Sequence, residues 1–410
     1  TFASAEETGS VYYLNFKPEA EEAWQALAKT YTELTGVPVT VVTAASGTYS
    51  ETLTVEMDKG ASAPTLFQCG NQQGLDTWGD YCLDLRDTDF YKELTTEEFN
   101  LFGDNGEAFA VGYCYEAFGI IVNKALLAEA GYAVEDITNF ESLKAVAEDI
   151  HARSAELGFD AFTSSGMDGS SSWRFSGHLA NMPLYYEFRD DGVTEQPATI
   201  KGTYLDNFKA IWDLYINNAA TDPTQLASAT GDQALAEFGE GKAVFYQNGS
   251  WEYANVVGEG KLTDADVTMI PIYFGVGDEA NQGLCTGSEN YWCVNKNASE
   301  EDIQATLDFM YWLVTDAEAS QMLVNELGIL PYKQAAKTAN GFLGDADAYT
   351  AAGNYVMPWV TNFQPNVDAY REAIVAAMNQ YDNDPTDANW EQVKTAFVDG
   401  WAVQYAAANG

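Results

Sequence analysis

The chain opens with a strand, a helix and a second strand, and this order restricts the folds available to it. VYYLNF (Val11–Phe16) is an apolar run of strand length, and Pro18 stands where a helix can begin. Apolar residues recur at helical spacing until Gly36, and VPVTVV (Val37–Val42) predicts the second strand. Two strands joined through a helix lie parallel in one sheet with a right-handed crossover. The chain therefore begins as an α/β protein.

The same alternation continues downstream. APTLFQCG (Ala63–Gly70) predicts a third buried strand, and Asn71 and Gln72 follow at its carboxyl end. Open α/β sheets place their ligand sites at that end of the strands. Strand-like segments at Val267–Phe274 and Tyr291–Val294 come much later, and we expect them to return the chain to the first sheet. Two lobes joined by several crossings explain this order better than separate domains on a linker.

One segment connects the two α/β regions, AFAVGYCYEAFGIIVNKALLAEAG (Ala108–Gly131). It predicts a strand ending near Tyr115 and Glu116, an apolar run over Phe118–Val122, and a short helix opened by Asn123. An aromatic and an acidic side chain thus stand where the chain leaves the first region.

The charge of the chain excludes some partners. The 410 residues include 19 Lys and Arg against 62 Asp and Glu, for a net charge of −43. That field repels nucleic acid, which we exclude as a partner, and it suits a neutral or cationic ligand. An acidic proteome would produce the same balance. The sequence has no run near the roughly 20 apolar residues that span a bilayer.

The cysteines and histidines argue against a metal centre. Cys69, Cys82, Cys114, Cys285 and Cys293 form no CxxC pair, and their odd number leaves at least one thiol free. We expect free buried thiols, although Cys285 and Cys293 could occupy neighbouring strands. With only two histidines in the chain, we expect neither a metal nor a cofactor.

Catalytic motifs are absent from the sequence. It contains no Gly-x-Ser-x-Gly, no GxxxxGK[ST] phosphate loop and no dinucleotide-type glycine pattern after the first strand. Paired carboxylates could serve a glycoside hydrolase, with Glu116, Asp168 and Glu289 as conceivable members. Among 62 acids such pairs are easy to find, so they carry little weight. We predict no catalytic residue and keep a hydrolase as the alternative.

Six loops combine aromatic rings with amide or carboxylate groups. Pyranose rings stack their C–H faces on aromatic rings, and their hydroxyls need polar partners. The candidate ligand-binding residues from these loops are Asn71, Gln72, Tyr115, Glu116, Asp168, Trp173, Arg174, Asn248, Trp251, Glu289, Trp359 and Asn362. So many loops of this composition are hard to obtain by chance, and they predict a sugar longer than one ring.

Each of these residues also has a purely structural interpretation. Trp173, Trp251 and Trp359 stand beside Gly, Ser, Pro or Asn, which favours ligand contact. Glu116 could instead be an ion-pair partner, and Arg174 could pair with one of the many acids. Five tryptophans at helical spacing are predicted to be core residues: Trp24, Trp212, Trp312, Trp390 and Trp401.

Several segments together resemble a known family. They are PEAEEAW (Pro18–Trp24), YEAFGIIVNKALLAEAG (Tyr115–Gly131), FGEGKAVFYQNGSW (Phe238–Trp251), SENYWCVNK (Ser288–Lys296) and GILPYKQAA (Gly328–Ala336). Taken together, the chain resembles the family 1 extracellular solute-binding proteins of carbohydrate ABC transporters, such as maltose- and oligosaccharide-binding lipoproteins. The resemblance covers nearly the whole length. It departs at Thr65, where the family usually has Asp after Pro, a position that mainly ends a strand.

The resemblance implies a two-lobed, periplasmic-binding-protein-like α/β fold, each lobe a sheet flanked by helices, with about three hinge crossings. Lobe 1 would comprise residues 1–115 and 270–328, and lobe 2 residues 116–269 and 329–410, with the ligand cleft between them. Ligand would close the lobes by a hinge motion.

The resemblance also implies roles for particular residues. Tyr115 and Glu116 would contact the ligand at the hinge, and Trp251 and Trp359 would form aromatic platforms. Asn71 and Gln72 would reach sugar hydroxyls from the first lobe.

The partners implied are an oligosaccharide and the membrane permease subunits of an ABC importer, with the receptor itself a monomer. Malto-oligosaccharides are the first candidate, while xylo-, galacto- and raffinose-type sugars stay open. The expected location is extracellular, as a lipoprotein on the cytoplasmic membrane of a Gram-positive cell, or periplasmic. A glycoside hydrolase and a peptide-binding receptor are the alternative functions.

Overall fold

A computed structural model describes residues 8–45, 48–289 and 291–410 of the chain. It divides into two compact units. Unit 1 consists of the chain up to Glu116 together with Gly287–Asn340, and unit 2 consists of Ala117–Thr286 together with Gly341–Gly410. Each unit has its own sheet and its own apolar core.

The strands follow the predicted segments closely. They are β1 (Val11–Asn15), β2 (Val39–Thr43), β3 (Leu66–Cys69), β4 (Leu101–Phe102), β5 (Ala108–Ala110), β6 (Glu116–Asn123), β7 (Asp160–Phe162), β8 (Ala243–Gly249), β9 (Val267–Ile270), β10 (Gln282–Gly287), β11 (Tyr291–Val294) and β12 (Tyr355–Met357).

The helices surround these strands. They are α1 (Glu21–Thr35), α2 (Tyr49–Met57), α3 (Gln72–Trp78), α4 (Asp89–Lys92), α5 (Lys124–Glu129), α6 (Phe140–Ala152), α7 (Ser154–Leu157), α8 (Ala180–Asp191), α9 (Leu205–Asn217), α10 (Gly231–Gly239), α11 (Tyr253–Val256), α12 (Glu300–Thr315), α13 (Ala317–Glu326), α14 (Gly341–Ala351), α15 (Val367–Asn383) and α16 (Asp387–Asn409). A π-helical turn, Arg174–Leu179, leads directly into α8.

The sheet of unit 1 has the order β11-β3-β1-β2. Strand β1 is parallel to both β2 and β3, as the opening strand-helix-strand unit predicts, and β11 runs antiparallel to β3. The helix between β1 and β2 ends at Gly36, whose φ of 77° is in the left-handed region that glycine adopts without strain. The carboxyl ends of the three parallel strands therefore lie at one edge of this sheet.

The sheet of unit 2 has the order β12-β10-β6-β8-β7, with β9 also paired to β6. Strands β6 and β8 are antiparallel, and Phe118 stands opposite Gly249. The short helix predicted after β6 forms as α5, because the Asn123 side chain accepts a hydrogen bond from Leu126 N at 3.0 Å and caps it.

Only the first crossing between the units falls close to the residue that the sequence predicts. That crossing lies after Glu116, one residue from the predicted position. The second follows Thr286 rather than residue 269, because β9 pairs with β6 and β10 lies beside β6 in the sheet of unit 2. The segment Val267–Phe274 thus stays in unit 2, while Tyr291–Val294 returns to unit 1 as predicted.

The third crossing follows Asn340 rather than residue 328. Backbone pairing retains the intervening residues in unit 1: Tyr115 N donates to Ile329 O at 2.8 Å, and Thr95 N donates to Pro331 O at 2.8 Å. Such long-range pairing partners cannot be recognised in the residues of the segment itself.

All five cysteines are buried free thiols. Cys69 and Cys293 lie on the paired strands β3 and β11 with their sulfur atoms 3.5 Å apart. Cys285 lies in unit 2 and Cys293 in unit 1, so the two do not occupy neighbouring strands.

Within the described ranges, no helix combines the length and the apolar character needed to cross a bilayer.

Candidate functional site

Three tryptophans from separate loops meet in unit 2. Trp173 precedes the π-helical turn, Trp251 follows β8, and Trp359 follows β12. The ring centres of Trp173 and Trp251 are 6.2 Å apart, and those of Trp251 and Trp359 are 6.4 Å apart with the planes at 87°. All three indoles are partly exposed. The sequence predicted each of them as a ligand contact, and the fold brings the three together.

Two further rings complete this group. His178 stacks on Phe118 with ring centres 4.0 Å apart and planes within 10°, and Phe118 stacks on Trp359 at 5.6 Å. His178 also meets the edge of Trp173 at 5.0 Å. We call Phe118, Trp173, His178, Trp251 and Trp359 the aromatic cluster. Neither Phe118 nor His178 is recognisable from the sequence as a site residue, since one lies in an apolar run and the other is an isolated histidine.

The backbone of β8 makes room for one of these rings. A Cβ atom at Gly249 would lie 2.2 Å from the Trp251 ring, far inside van der Waals contact. The indole of Trp251 therefore lies across bare backbone at the end of β8. Only glycine permits this approach, which explains the Asn-Gly-Ser-Trp sequence at that point.

Hydrogen bonds fix two of the three indoles. Trp173 Nε1–H donates to Ser170 O at 2.8 Å, and Trp359 Nε1–H donates to Cys285 O at 3.0 Å. The N–H of Trp251 has no partner in the part of the chain that the structure describes. Two rings are thus held in place, and the third retains a donor for another molecule.

Two predicted polar residues lie beside these loops. Asp168 Oδ1 accepts from Ser170 N at 3.0 Å and from Ser170 Oγ at 2.7 Å, which shapes the loop before Trp173. Asn362 N donates to Trp359 O at 3.1 Å, and its half-buried side-chain amide makes no hydrogen bond to other described residues. Asn362 is accordingly the better placed of the two to bind a hydroxyl.

Arg174 and Asn248 are structural supports rather than exposed contacts. Arg174 is buried, its Nε donates to Gln247 O at 2.7 Å, and its guanidinium lies 5.0 Å from the centre of the Tyr246 ring. Asn248 is buried as well, donating to Tyr246 Oη at 2.7 Å. Both residues were predicted as ligand contacts, but each is buried and engaged in internal hydrogen bonds.

In unit 1, Asn71 and Gln72 follow β3 at the edge where the parallel strands end. Asn71 caps α3, its Oδ1 accepting from Gly74 N at 2.8 Å, so its carbonyl oxygen is engaged. Gln72 is the first residue of that helix and is half-buried.

The same unit holds an ion pair at the start of β6. Lys17 Nζ lies 3.7 Å from Glu116 Oε2, with the side chains only 9% and 17% exposed. Asn15 Nδ2 donates to Lys17 O at 2.9 Å. We call Asn15, Lys17, Asn71 and Glu116 the polar edge of unit 1. Lys17 was not among the residues predicted from the sequence, although its position just after β1 marks it as a residue at a strand end.

Tyr115 and Glu289 also belong to unit 1. Tyr115 stacks on Phe99 with ring centres 4.8 Å apart and planes within 16°. Glu289 is exposed and follows Ser288, whose Oγ donates to Cys114 O at 2.7 Å. Asp168 is in unit 2, so the three carboxylates considered for a hydrolase divide between the units.

The tryptophans predicted as core residues are packed inside the units. Trp24, Trp212, Trp390 and Trp401 are buried, and Trp312 is half-buried against Phe309. No cluster of three His, Cys, Asp or Glu suited to a metal ion occurs among the described residues.

A family model described as "Bacterial extracellular solute-binding protein" matches residues 26–342. A search of curated protein sequences finds no match.

Solved structures of similar fold cover nearly the whole chain. The putative binding protein MsmE from Bacillus subtilis, in an open conformation, superposes with a TM-score of 0.74 at 16% identity, covering 99% of this chain and all of MsmE. RafE from Streptococcus pneumoniae gives 0.72 at 16% identity, covering 98% and 100%, and a RafE structure in complex with raffinose gives 0.69 at 16% identity, covering 96% and 100%. GacH of Streptomyces glaucescens, solved unliganded and with acarbose, gives 0.64 at 19% identity, covering 98% and 99%. At these identities the likeness establishes a shared two-lobed α/β fold.

Proposed function

Since the chain belongs to the family of bacterial extracellular solute-binding proteins, we propose that its solute is an oligosaccharide that stacks on the aromatic cluster of unit 2. The family defines a binding protein and not an enzyme. The proposal concerns the identity of the solute and the residues that bind it.

The convergence of Trp173, Trp251 and Trp359 carries this proposal. Three partly exposed indoles from three loops, two of them fixed through their N–H groups, are costly to assemble unless a ligand covers them. Their planes differ, with Trp251 nearly perpendicular to Trp359. Flat C–H faces at different angles suit the successive rings of an oligosaccharide better than one planar molecule.

The ligands named for the structural relatives support a sugar as the solute. RafE is described with raffinose and GacH with acarbose. Malto-oligosaccharides remain our first candidate, because a curved chain of glucose rings suits platforms at different angles. Raffinose-type sugars are the next candidate.

The partners and the location follow from the resemblance. We propose that the protein delivers its sugar to the permease subunits of an ABC importer and acts as a monomer held at the cell surface by a lipid anchor. Hinge closure on the ligand likewise remains a prediction.

Isothermal titration against maltotriose, xylotriose, raffinose and cellotriose tests the identity of the solute. We expect one sugar to bind in the micromolar range, about −8 kcal/mol, and to be recovered intact. Trp251→Ala measured beside Trp312→Ala, a half-buried tryptophan of unit 1, controls for general loss of stability. Release of reducing ends from the sugar would favour the hydrolase alternative. Binding of a peptide, with no binding of any of the four sugars, would favour the peptide receptor.

A further inference from the structure

One member of the aromatic cluster is polar. His178 is 9% exposed, lies flat on Phe118 and is bordered by Trp173 at 5.0 Å and Trp251 at 5.4 Å. An imidazole in such a position offers a hydrogen-bonding edge within an otherwise apolar surface. The chemistry of that edge depends on which nitrogen carries the proton.

The partner on β8 determines the tautomer. Gln247 Nε2 lies 2.9 Å from His178 Nδ1, and the same amide nitrogen donates to Gly119 O at 3.4 Å. The carbonyl of Gly119 accepts only, which orients the Gln247 amide with its N–H groups toward Nδ1. Nδ1 therefore accepts, and the proton of the neutral ring is on Nε2.

The ring is also uncharged. Burial lowers the pKa of His178 well below its usual range, and two nearby cations, Arg371 on α15 and Arg174 on the same π-helical turn, lower it further. The side chain is thus a neutral donor with one available N–H over the ordinary pH range.

We propose that His178 Nε2–H donates a hydrogen bond to an oxygen of the sugar ring that stacks on the aromatic cluster, and so selects sugars that carry an acceptor there. This inference rests on the proposed function. Nε2 has no partner within the described residues, and a ligand that covered it without an acceptor would leave a desolvated donor unpaired. Aromatic faces bind most pyranoses, so a donor held in place among them by Gln247 contributes to specificity.

The tautomer can be tested without any sugar. The chain has only two histidines, and His151 Nδ1 lies 2.8 Å from Asp160 Oδ1, which places a proton on Nδ1. Nitrogen-15 spectra of histidine-labelled protein, assigned with His151→Asn, should show His178 protonated on Nε2 alone from pH 5 to 8. A proton on His178 Nδ1, or an imidazolium in that range, would overturn the inference while leaving the sugar proposal intact.

Binding tests the role directly. His178→Phe retains the aromatic stack and removes the N–H, so we expect an affinity about tenfold lower for whichever of the four panel sugars binds. Among monodeoxy derivatives of that sugar, one should bind wild type about tenfold more weakly and bind the variant as well as the parent sugar does. A purely structural role would weaken all derivatives equally.

His151→Phe is the matched control, and it should leave affinity unchanged. Equal affinity of wild type and His178→Phe for the panel sugar overturns the inference alone. If the wild-type protein binds none of the four sugars, the proposed function and the inference are overturned together.

Discussion

The aromatic cluster of unit 2 and the polar edge of unit 1 differ in the chemical groups that they present and in how far those groups already interact within the protein. The cluster presents three half-exposed indoles whose N–H groups are bound to the backbone or left available. The polar edge presents charged and amide groups that already engage one another, as in the pair Lys17–Glu116. The rings give up few existing hydrogen bonds when a ligand covers them, because they make few within the protein. We infer that the aromatic cluster of unit 2 supplies most of the affinity for the proposed sugar.

Removal of the central ring should have the largest effect. Trp251→Ala takes away a stacking face and the available indole N–H, and hot-spot tryptophans contribute about 2–3 kcal/mol. Titration with the best panel sugar should therefore show an affinity roughly 30- to 150-fold lower. Trp312→Ala should leave affinity near wild type. Equal losses in the two variants would show that general destabilisation, and not stacking, explains the result.

Gly249→Ala should displace the same ring without removing it. Because the new Cβ would lie 2.2 Å from the indole, the ring must swing away from β8. We expect an affinity about tenfold lower, together with changed tryptophan fluorescence. Gly344→Ala, where the added Cβ meets nothing within 4 Å, is the matched control in the same unit and should change neither. An unchanged affinity in Gly249→Ala would mean that the orientation of Trp251 is not important for binding.

Local signals in the sequence predicted several of these structural features. The Asn123 cap, the Gly36 helix end and the three loop tryptophans are all recognisable from neighbouring residues, and the structure has them where expected. The chain crossings at Thr286 and Asn340 were not predictable, because they depend on which distant strand each segment pairs with.

Prediction from the sequence has the same limit at the candidate site, where the fold decides which side chains are buried. Arg174 and Asn248 have the residue types of ligand contacts, and only the fold reveals that their polar atoms face inward. Phe118 and His178 have no distinguishing neighbours in the sequence. Register opposite Gly249 and a π-helical turn bring them to the cluster.

The polar edge should be less important for affinity and more important for stability. Lys17→Met leaves Glu116 largely buried beside an apolar side chain, and breaking such a pair costs about 3–5 kcal/mol when fully buried, less here because both groups keep some exposure. We expect a clearly lower melting temperature and an affinity only about fivefold lower. The double variant Lys17→Met/Glu116→Leu should regain stability relative to the single variant. A loss of affinity larger than that of Trp251→Ala would reverse our ranking of the two regions.

A buried acid that belongs to neither region offers the smallest effect on binding. Asp382 accepts from Trp212 Nε1 at 2.7 Å, while its second oxygen has no partner in the described structure. Burial raises the pKa of Asp382 to about 7, the Trp212 hydrogen bond opposes that rise, and the nearby Asp213 adds to it. The folded protein therefore binds a proton that the unfolded chain releases near pH 4.

The sign of the pH dependence follows. Between about pH 4 and 7 the folded state holds more protons than the unfolded state, so stability falls as pH rises through this window and levels off above it. Asp382→Asn cannot ionise and retains an acceptor for Trp212. It should melt at a temperature a few degrees higher than wild type at pH 8, match wild type near pH 4, and bind sugar with unchanged affinity at both. If Asp382→Asn were more stable and also bound sugar more tightly, the affinity of the aromatic cluster would depend on the stability of unit 2. The difference between the cluster and the polar edge would then reflect stability and not contact chemistry.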